Sequence, residues 1–198
     1  MTQLIEFLQA FVALFVVIDP IANVPIFLSL TQNMSKKERR EAVNKAIIIA
    51  FGLLIAFALV GNYIIKFLAI KLESFMIAGG LLLLVISFDM LMGEMTRTRR
   101  VVKEDIAVVP MATPLLAGPG AITTTIYFIN VSSTLIIVLA VILAILASAA
   151  ILHIGEEMHR ILGRNACRAF TRIMGLILAA FAIDLVRKGI IGIWSGGF

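Results

Sequence analysis

The sequence predicts an all-α integral membrane protein whose six transmembrane helices form two inverted three-helix repeats, with helices 1 and 4 broken at a Pro-x4-Pro motif. Three observations predict this fold: the apolar composition, the placement of the basic residues, and a repeat of about 95 residues. Of the 198 residues, 61% are hydrophobic, and the mean hydropathy is +1.08. Because a soluble domain is nearer half apolar, this chain has more apolar surface than a single core can bury.

Six apolar runs are long enough to cross a bilayer, since about 18 or more apolar residues in a row indicate a membrane helix. Ser35 followed by Glu38 matches a helix capping box, so helix 2 is expected to begin in the link that precedes its apolar run. The first run has no basic residue before it and contains Asp-Pro, which favours a retained helix over a cleaved signal peptide. The runs lie at about 4–30, 46–65, 74–92, 106–129, 134–154 and 173–193.

The basic residues cluster in the links after helices 1, 3 and 5, which together hold most of the 17 Lys and Arg. By the positive-inside rule these links are cytoplasmic, so both termini are predicted to lie outside. The net charge of +5 therefore follows membrane topology. We expect the lipid bilayer as a partner and no nucleic acid.

Helices 1 and 4 contain the same proline pattern. Asp19 to Pro25 is Asp-Pro-Ile-Ala-Asn-Val-Pro, and Thr113 to Pro119 is Thr-Pro-Leu-Leu-Ala-Gly-Pro, so Pro-x4-Pro recurs 94 residues later. Proline inside a helix removes one hydrogen bond and clashes with the preceding turn. A matched pair of interrupted helices is the best sequence pointer to a transporter's binding site. Kinks that only shape helix packing are the alternative interpretation.

A second set of matched residues gives nearly the same offset. Gly80 and Asp89 align with Gly175 and Asp184, 95 residues later. A repeat of this length holds three helices, and an odd number makes the second copy cross the membrane in the opposite sense. The prediction is a single transmembrane domain, 1–198, in which repeat one (about 1–93) and repeat two (about 106–198) are joined by a charged cytoplasmic link, 94–105.

The two breaks provide the candidate substrate-binding residues. The half-helix that starts after each break would present free amides and a positive dipole end, which suit a carboxylate. A carboxylate within a membrane helix is costly, so Asp19 is also the candidate for ion coupling, and its counterpart Thr113 has only a hydroxyl. Alternatively, Asp19 only caps the new half-helix and Asn23 only bonds freed backbone. The candidate residues are Asp19, Pro20, Asn23, Pro25, Thr113, Pro114, Gly118, Pro119, Gly120, Ala121 and Thr123.

Asp89 and Asp184 lie near the ends of helices 3 and 6, where structural roles are favoured. Asp184 has Arg187 and Lys188 one turn further on, so a local ion pair is expected. The Gly-x-Gly-Asp signature of intramembrane aspartyl proteases is absent before either aspartate, and no enzymatic activity is expected. Cys167 is the only cysteine, which excludes an intramolecular disulfide.

A cluster of His and Glu at the end of helix 5 offers a weak metal-binding pattern. The spacing of His153, Glu156, Glu157 and His159 differs from the His-Glu-x2-His of zinc proteases. We therefore expect a solvated helix end, at which Glu156 can pair with Arg160 one turn away, and no metal site.

The residues from Asp19 to Phe27, and those from Pro110 to Ile122, closely resemble the paired signatures of the MarC family, and the resemblance covers the whole chain. It implies a multi-pass protein of the prokaryotic inner membrane. Some members of the family look like ion-driven transporters of small neutral amino acids such as glycine and alanine. The resemblance thus implies that substrate class, with no cofactor beyond a coupling proton or sodium ion.

The sequence and the resemblance together predict a secondary active transporter, for uptake or export, that works by alternating access between its two halves. Three alternatives stay open: a channel, an exporter of other small solutes, and a membrane scaffold that transports nothing. Assembly into a homo-oligomer stays open as well.

Overall fold

The computed structural model describes residues 2–92 and 116–195, and all the regular secondary structure in these two ranges is helical. The polypeptide forms long helices joined by short turns. These helices are α1 (Thr2–Ile18), α2 (Pro20–Leu30), α3 (Lys36–Phe67), α4 (Leu72–Met92), α5 (Pro119–Val131), α6 (Thr134–His153) and α7 (Gly155–Ser195). Gly163 has non-helical backbone (φ 70°, ψ 170°) and divides α7 into a short first part and a long second part.

Five helical segments are long and apolar enough to cross a membrane, which confirms the prediction of an all-helical, multi-pass membrane protein. The predicted helix 4, at 106–129, lies partly outside the described residues, and α5 is the part of it that the structure describes. The charged link 94–105 lies outside them too, so the count of six helices stays a prediction. The five segments are Gln3–Leu30, Lys36–Phe67, Leu72–Met92, Thr134–His153 and Asn165–Ser195.

The first membrane segment is interrupted at Asp19, which separates α1 from α2. Asp19 has φ 43° and ψ 64°, the left-handed conformation that a residue with a side chain seldom adopts. Pro20 follows at the first position of α2, where its missing N–H has no helical partner to lose. Pro25 lies inside α2, so the helix continues past the second proline of the motif.

The start of α3 confirms the predicted capping box. The amide of Glu38 donates to Ser35 Oγ at 3.3 Å, and the amide of Ser35 donates to Glu38 Oε2 at 2.7 Å. This reciprocal pair satisfies two amides that a helix start would otherwise leave free. Helix 2 therefore begins at Lys36, ten residues before its apolar run.

Helices α4 and α7 form the largest helix–helix contact within the described residues, and glycines let them approach closely. The two helices run antiparallel. A Cβ added to Gly189, late in α7, would lie 2.7 Å from the carbonyl oxygen of Glu73 at the start of α4, whereas Gly175, earlier in α7, lies against the end of α4. Small residues allow this approach of two backbones in a membrane, where no hydrophobic force drives helices together.

The contact between α4 and α7 is reciprocal. A Cβ on Gly80 would lie 2.8 Å from the carbonyl oxygen of Ala182, and one on Gly175 would lie 3.2 Å from that of Ser87. Gly80 and Gly175 are 95 residues apart, as are Ser87 and Ala182. If 95 is added to the number of each residue in the contact of Gly80 with Ala182, or subtracted from it, the contact of Gly175 with Ser87 results. An interface with two-fold symmetry has this property.

One further pair of helix contacts matches across the predicted repeats. Helix α1 packs on α6 while α3 packs on α5. If the predicted helices 1 to 3 are exchanged with the predicted helices 4 to 6, each of these two contacts becomes the other. The inverted repeat itself stays a prediction.

Gly80→Ala is expected to destabilise the protein, whereas Gly52→Ala is not. The new carbon at position 80 would press on the backbone oxygen of Ala182, while at position 52 it would meet nothing within 4 Å. Both changes gain the same helix propensity, about 1 kcal/mol, so the difference between them reports the contact. Overpacking costs about 1–3 kcal/mol. Thermal unfolding of the purified protein in detergent measures it, and equal midpoints for the two variants would contradict the close packing of α4 on α7.

Candidate functional site

Asp19 caps the half-helix that follows the break. Its Oδ1 accepts a hydrogen bond from the amide of Ala22 at 3.3 Å, and the residue is 6% exposed. Its own backbone still joins the two helices, because its amide donates to Phe15 O at 3.0 Å and its carbonyl accepts from Asn23 N at 3.2 Å. The capping role that the sequence left open is therefore present in the structure.

Asn23 completes the backbone on the other side of the break. Its Nδ2 donates to the carbonyl oxygen of Ile18 at 2.8 Å, and the side chain is buried. In a continuous helix, the amide of Ala22 would bond this carbonyl, but here that amide is bonded by Asp19. Asp19 and Asn23 thus exchange one helical hydrogen bond for two side-chain bonds, which keeps buried backbone groups paired.

The start of α5 lacks such a cap. Its N-cap residue, Gly118, has extended backbone (φ −69°, ψ 173°) and no side chain to accept a hydrogen bond. Pro119 occupies the first helical position, and the amide of Ile122 donates to Gly118 O at 3.1 Å. Gly120 and Ala121 follow and are both buried. The positive end of this helix dipole therefore lies inside the protein without a carboxylate from its own N-cap.

The structure brings the break in helix 1 and the start of α5 together. A Cβ added to Gly120 would lie 3.1 Å from Val17 Cγ1, and Val17 precedes Asp19 by two residues. It would also lie 2.7 Å from Leu83 Cδ2 on α4, so these side chains pack closely around Gly120. Thr113 and Pro114, which the sequence also assigned to the site, lie outside the described residues.

The three threonines of α5 have different surroundings. Thr123 packs its methyl group against Gly79 on α4, and Thr125 Oγ1 donates to Ala121 O at 2.8 Å. Thr124 is fully buried, and its Oγ1 has no hydrogen-bond partner within the described residues. It lies one turn after Gly120, on the same face of α5. The sequence named Thr123 as the candidate, and the helical spacing of Thr124 from Gly120 is the signal that points to its hydroxyl.

A cavity of about 630 Å³ leads toward the break from the face at which α1 begins, which we call the N-terminal face. It lies between α1, α5 and α7 and extends along α1 from Glu6 to Val16. Ten residues of helix correspond to about 15 Å at 1.5 Å per residue. Val16 is less than one turn from Asp19, so the cavity ends beside the break.

Charged residues of α7 lie at the mouth of this cavity. Arg187 Nη2 lies 2.7 Å from Asp184 Oδ1, and Lys188 Nζ lies 2.9 Å from Asp184 Oδ2, which confirms the predicted local ion pairs. Lys188 Nζ also donates to the hydroxyl of Tyr127 at 3.2 Å. No pattern in the sequence predicts this last contact, because Tyr127 lies 61 residues away on another helix.

An ion pair joins three elements on the opposite face, where the α2–α3 turn meets the start of α7; we call it the basic face. Arg39 Nη1 lies 2.8 Å from Glu156 Oε2, and Arg39 Nη2 donates to the carbonyl oxygen of Thr31 at 3.3 Å. Nearby, a Cβ on Gly155 would lie 3.0 Å from Val24 Cγ2, so α7 begins directly against α2.

The partner of Glu156 in the structure differs from the one that the sequence suggests. The sequence allows a local pair with Arg160, whereas the structure shows a bond to Arg39, 117 residues earlier. Within the two described ranges, no group of three His, Cys, Asp or Glu side chains is placed to hold a metal ion. Cys167 is buried, with its Sγ 3.9 Å from His159 Nδ1.

Comparison with known proteins gives one consistent result. A family model described as "MarC family integral membrane protein" matches residues 4–194. A UPF0056 membrane protein of Methanocaldococcus jannaschii is 41% identical over 197 residues, covering 94% of this chain and 96% of the relative. No solved structure matches this chain.

Two further relatives have the same description. One is a UPF0056 membrane protein of Pyrococcus horikoshii, 36% identical, with 94% of each chain covered. The other is the UPF0056 membrane protein YvbG of Bacillus subtilis, 32% identical, again with 94% of each chain covered. These names describe membrane proteins and mention no substrate.

Asn23→Ala is expected to destabilise the protein more than Asn130→Ala. Each asparagine donates to a helix carbonyl at 2.8 Å, but only Asn23 replaces a missing backbone donor; the carbonyl of Ile126 already has the amide of Asn130. An unpaired buried carbonyl costs about 1–3 kcal/mol. The comparison of the two thermal midpoints tests this, and a larger loss at position 130 would show that Asn23 does not hold the break.

Proposed function

Because the chain belongs to the MarC family of integral membrane proteins, we propose that it is a secondary active transporter of small neutral amino acids such as glycine and alanine. The observation that carries this proposal is the break at Asp19, which lies beside the start of α5 at the inner end of a cavity. Uptake and export are both compatible with it. No chemical reaction or cofactor is part of the proposal, and the gradient of a proton or sodium ion drives transport.

The cost of an interrupted membrane helix supports a functional role for this region. Non-helical backbone at membrane depth is tolerated where protein encloses it or where it lines a water-filled cavity. An ionisable residue such as Asp19 within a membrane segment is also costly and marks a functional site by default. The left-handed backbone of Asp19 adds about 1–3 kcal/mol of strain, which is typical of ligand sites.

The two sides of the proposed site suit the two ends of an amino acid. The carboxylate binds the amides of Gly120 and Ala121 at the start of α5, with the hydroxyl of Thr124 as a further donor. The ammonium group, or the coupling ion, binds near Asp19. Val17 and Leu83 pack closely around Gly120, so this proposal requires a substrate with a small side chain.

The symmetric contacts support the inverted repeat that alternating access needs. The reciprocal packing of Gly80 and Gly175, together with the paired helix contacts, is what two copies of opposite orientation would produce. In this proposal helix 4 begins near residue 106, and the site lies between the repeats. Pro20 and Pro25 then correspond to Pro114 and Pro119.

The two faces of the described residues differ as alternating access requires. The cavity opens on the N-terminal face, while the ion pair of Arg39 with Glu156 and the contact of Gly155 with Val24 join the helices on the basic face. By the positive-inside rule the basic face is cytoplasmic, in the inner membrane, and both termini are outside. The structure then corresponds to an outward-open state.

A channel or a scaffold would behave differently from this transporter. In proteoliposomes, a transporter shows saturable counterflow, in which unlabelled substrate on one side drives accumulation of labelled substrate. A channel shows equilibration without counterflow, and a scaffold shows neither. Absence of counterflow with glycine and alanine, under both proton and sodium gradients, would reject the proposal.

Asp19→Asn is expected to abolish ion-coupled transport while the protein stays folded. Asparagine caps helices about as well as aspartate, so the break keeps its bond to Ala22 and loses only the charge.

Thr124→Val is expected to keep or raise stability, because it removes a buried hydroxyl that has no described partner. It should weaken glycine binding by about tenfold, the equivalent of one hydrogen bond to a charged group. Binding that is unchanged in both variants would place the substrate elsewhere.

Glu156→Gln is expected to shift the protein toward opening on the basic face. The loss of a partly exposed ion pair costs about 0.2–1 kcal/mol, so the population of the open state should rise by up to about fivefold. A cysteine introduced at Leu28, which lies beside this ion pair, would report it through labelling by an impermeant maleimide in a Cys167→Ser background. Glu157→Gln is the matched control, and equal labelling in both variants would mean that the ion pair does not hold this face closed.

A further inference from the structure

The cavity on the N-terminal face is far larger than glycine or alanine requires. Its volume of about 630 Å³ lies within the range of about 300–1,000 Å³ that is typical of pockets for drug-sized ligands. Side chains of Leu83 and Val17 pack closely around Gly120, whereas this cavity is open. The two regions therefore suit ligands of different size.

Charge is distributed across the cavity in a way that suits a zwitterion. On the α7 side, Lys188 lines the cavity, while its partner Asp184 is also bound by Arg187, which lies outside the lining. On the α1 side, Glu6 lines the cavity and carries a negative charge, with Gln9 one turn along. A ligand with a carboxylate at one end and an ammonium at the other is complementary to these two walls.

On the α7 side of the cavity, Lys188 and Tyr127 can still donate hydrogen bonds to a ligand. An ammonium group has three N–H donors, and the described contacts of Lys188 use two of them, to Asp184 Oδ2 and Tyr127 Oη. Because the tyrosine oxygen accepts from Lys188, its own proton is free to be donated. Lys188 and Tyr127 can thus offer two adjacent hydrogen bonds to one carboxylate, and bonds to a charged group are the stronger kind.

Aromatic rings form the apolar wall beside these donors. The rings of Phe128 and Phe181 stack with centroids 6.2 Å apart and an angle of 5° between their planes. The ring of Tyr127 meets Phe181 edge-on, with centroids 6.5 Å apart. Aromatic rings of this kind give an apolar side chain a rigid surface to pack on. Phe128 and Phe181 line the same cavity as Lys188.

From these observations we propose that the cavity is a second binding site, which takes an amino acid with a large apolar side chain. Its carboxylate binds Lys188 and Tyr127, its ammonium binds Glu6, and its side chain packs on Phe128 and Phe181. The inference goes beyond the proposed function, because it concerns a ligand too large for the space beside Gly120. Such a ligand would occupy the entrance to the break and inhibit transport from this face.

Binding of L-phenylalanine to the purified full-length protein in lipid nanodiscs tests the inference. L-phenylalanine is expected to bind, whereas 2-phenylethylamine, which lacks the carboxylate, should bind at least about tenfold more weakly. Lys188→Met and Tyr127→Phe should each weaken the binding of L-phenylalanine. Arg187→Met is the matched control, because it removes the same charge and a contact to the same carboxylate but does not line the cavity.

Each other outcome is decisive. Equal losses in Lys188→Met and Arg187→Met would overturn the site, because they would reflect charge alone. A stabilising effect of anionic lipid, without any of L-phenylalanine, would identify a lipid as the occupant and also overturn it. Asp19→Asn separates the two proposals: it should leave the binding of L-phenylalanine intact, even if glycine proves not to be transported at all.

Discussion

The candidate site depends on one constraint: backbone polar groups within a membrane must be bonded inside the protein. Helix 1 breaks this pattern at Asp19 and restores it within five residues. The Asp19 carboxylate accepts a hydrogen bond from the amide of Ala22, and the side-chain amide of Asn23 donates one to the carbonyl of Ile18. The break is thus a fixed local structure with its own hydrogen bonds, and it positions a buried carboxylate beside α5.

Close helix packing is the second requirement, and glycine meets it at the points where helices cross. Gly80 and Gly175 let α4 and α7 approach to backbone contact, and Gly79 and Gly120 let α5 lie against α4. In a membrane this packing provides much of the attraction between helices. In the proposed inverted repeat, the reciprocal α4–α7 contact would couple the two halves through equivalent positions.

The sequence predicts those features that depend on neighbouring residues. The apolar runs, the Asp-Pro interruption, the capping box at Ser35 and the ion pair of Asp184 with Arg187 all involve residues a few positions apart. The 95-residue repeat likewise follows from comparing the chain with itself.

Contacts between distant residues could not be predicted from the sequence. The bond from Arg39 to Glu156 spans 117 residues, and the one from Lys188 to Tyr127 spans 61. Neither has a local signature, because a charged residue at a helix end is also well placed in water. The course of α2 through Pro25 was not predicted either: a proline breaks an isolated helix, but neighbouring helices can stabilise the kinked form in a membrane.

The half-helices α2 and α5 both begin with proline, but only α2 has an N-cap residue with a carboxylate. Each has proline at its first position, after Asp19 in α2 and after Gly118 in α5. In α2 the amide of the third residue, Ala22, donates to the carboxylate of Asp19, whereas the amide at the same helix position in α5, that of Ala121, follows an N-cap with no side chain. This comparison is by position within each half-helix, since in the predicted repeat Pro119 is the counterpart of Pro25. A carboxylate at the start of α5 would complete that helix as Asp19 completes α2. In the proposed transport cycle the substrate provides this group, so one helix end holds its own carboxylate permanently and the other binds one only when substrate is present.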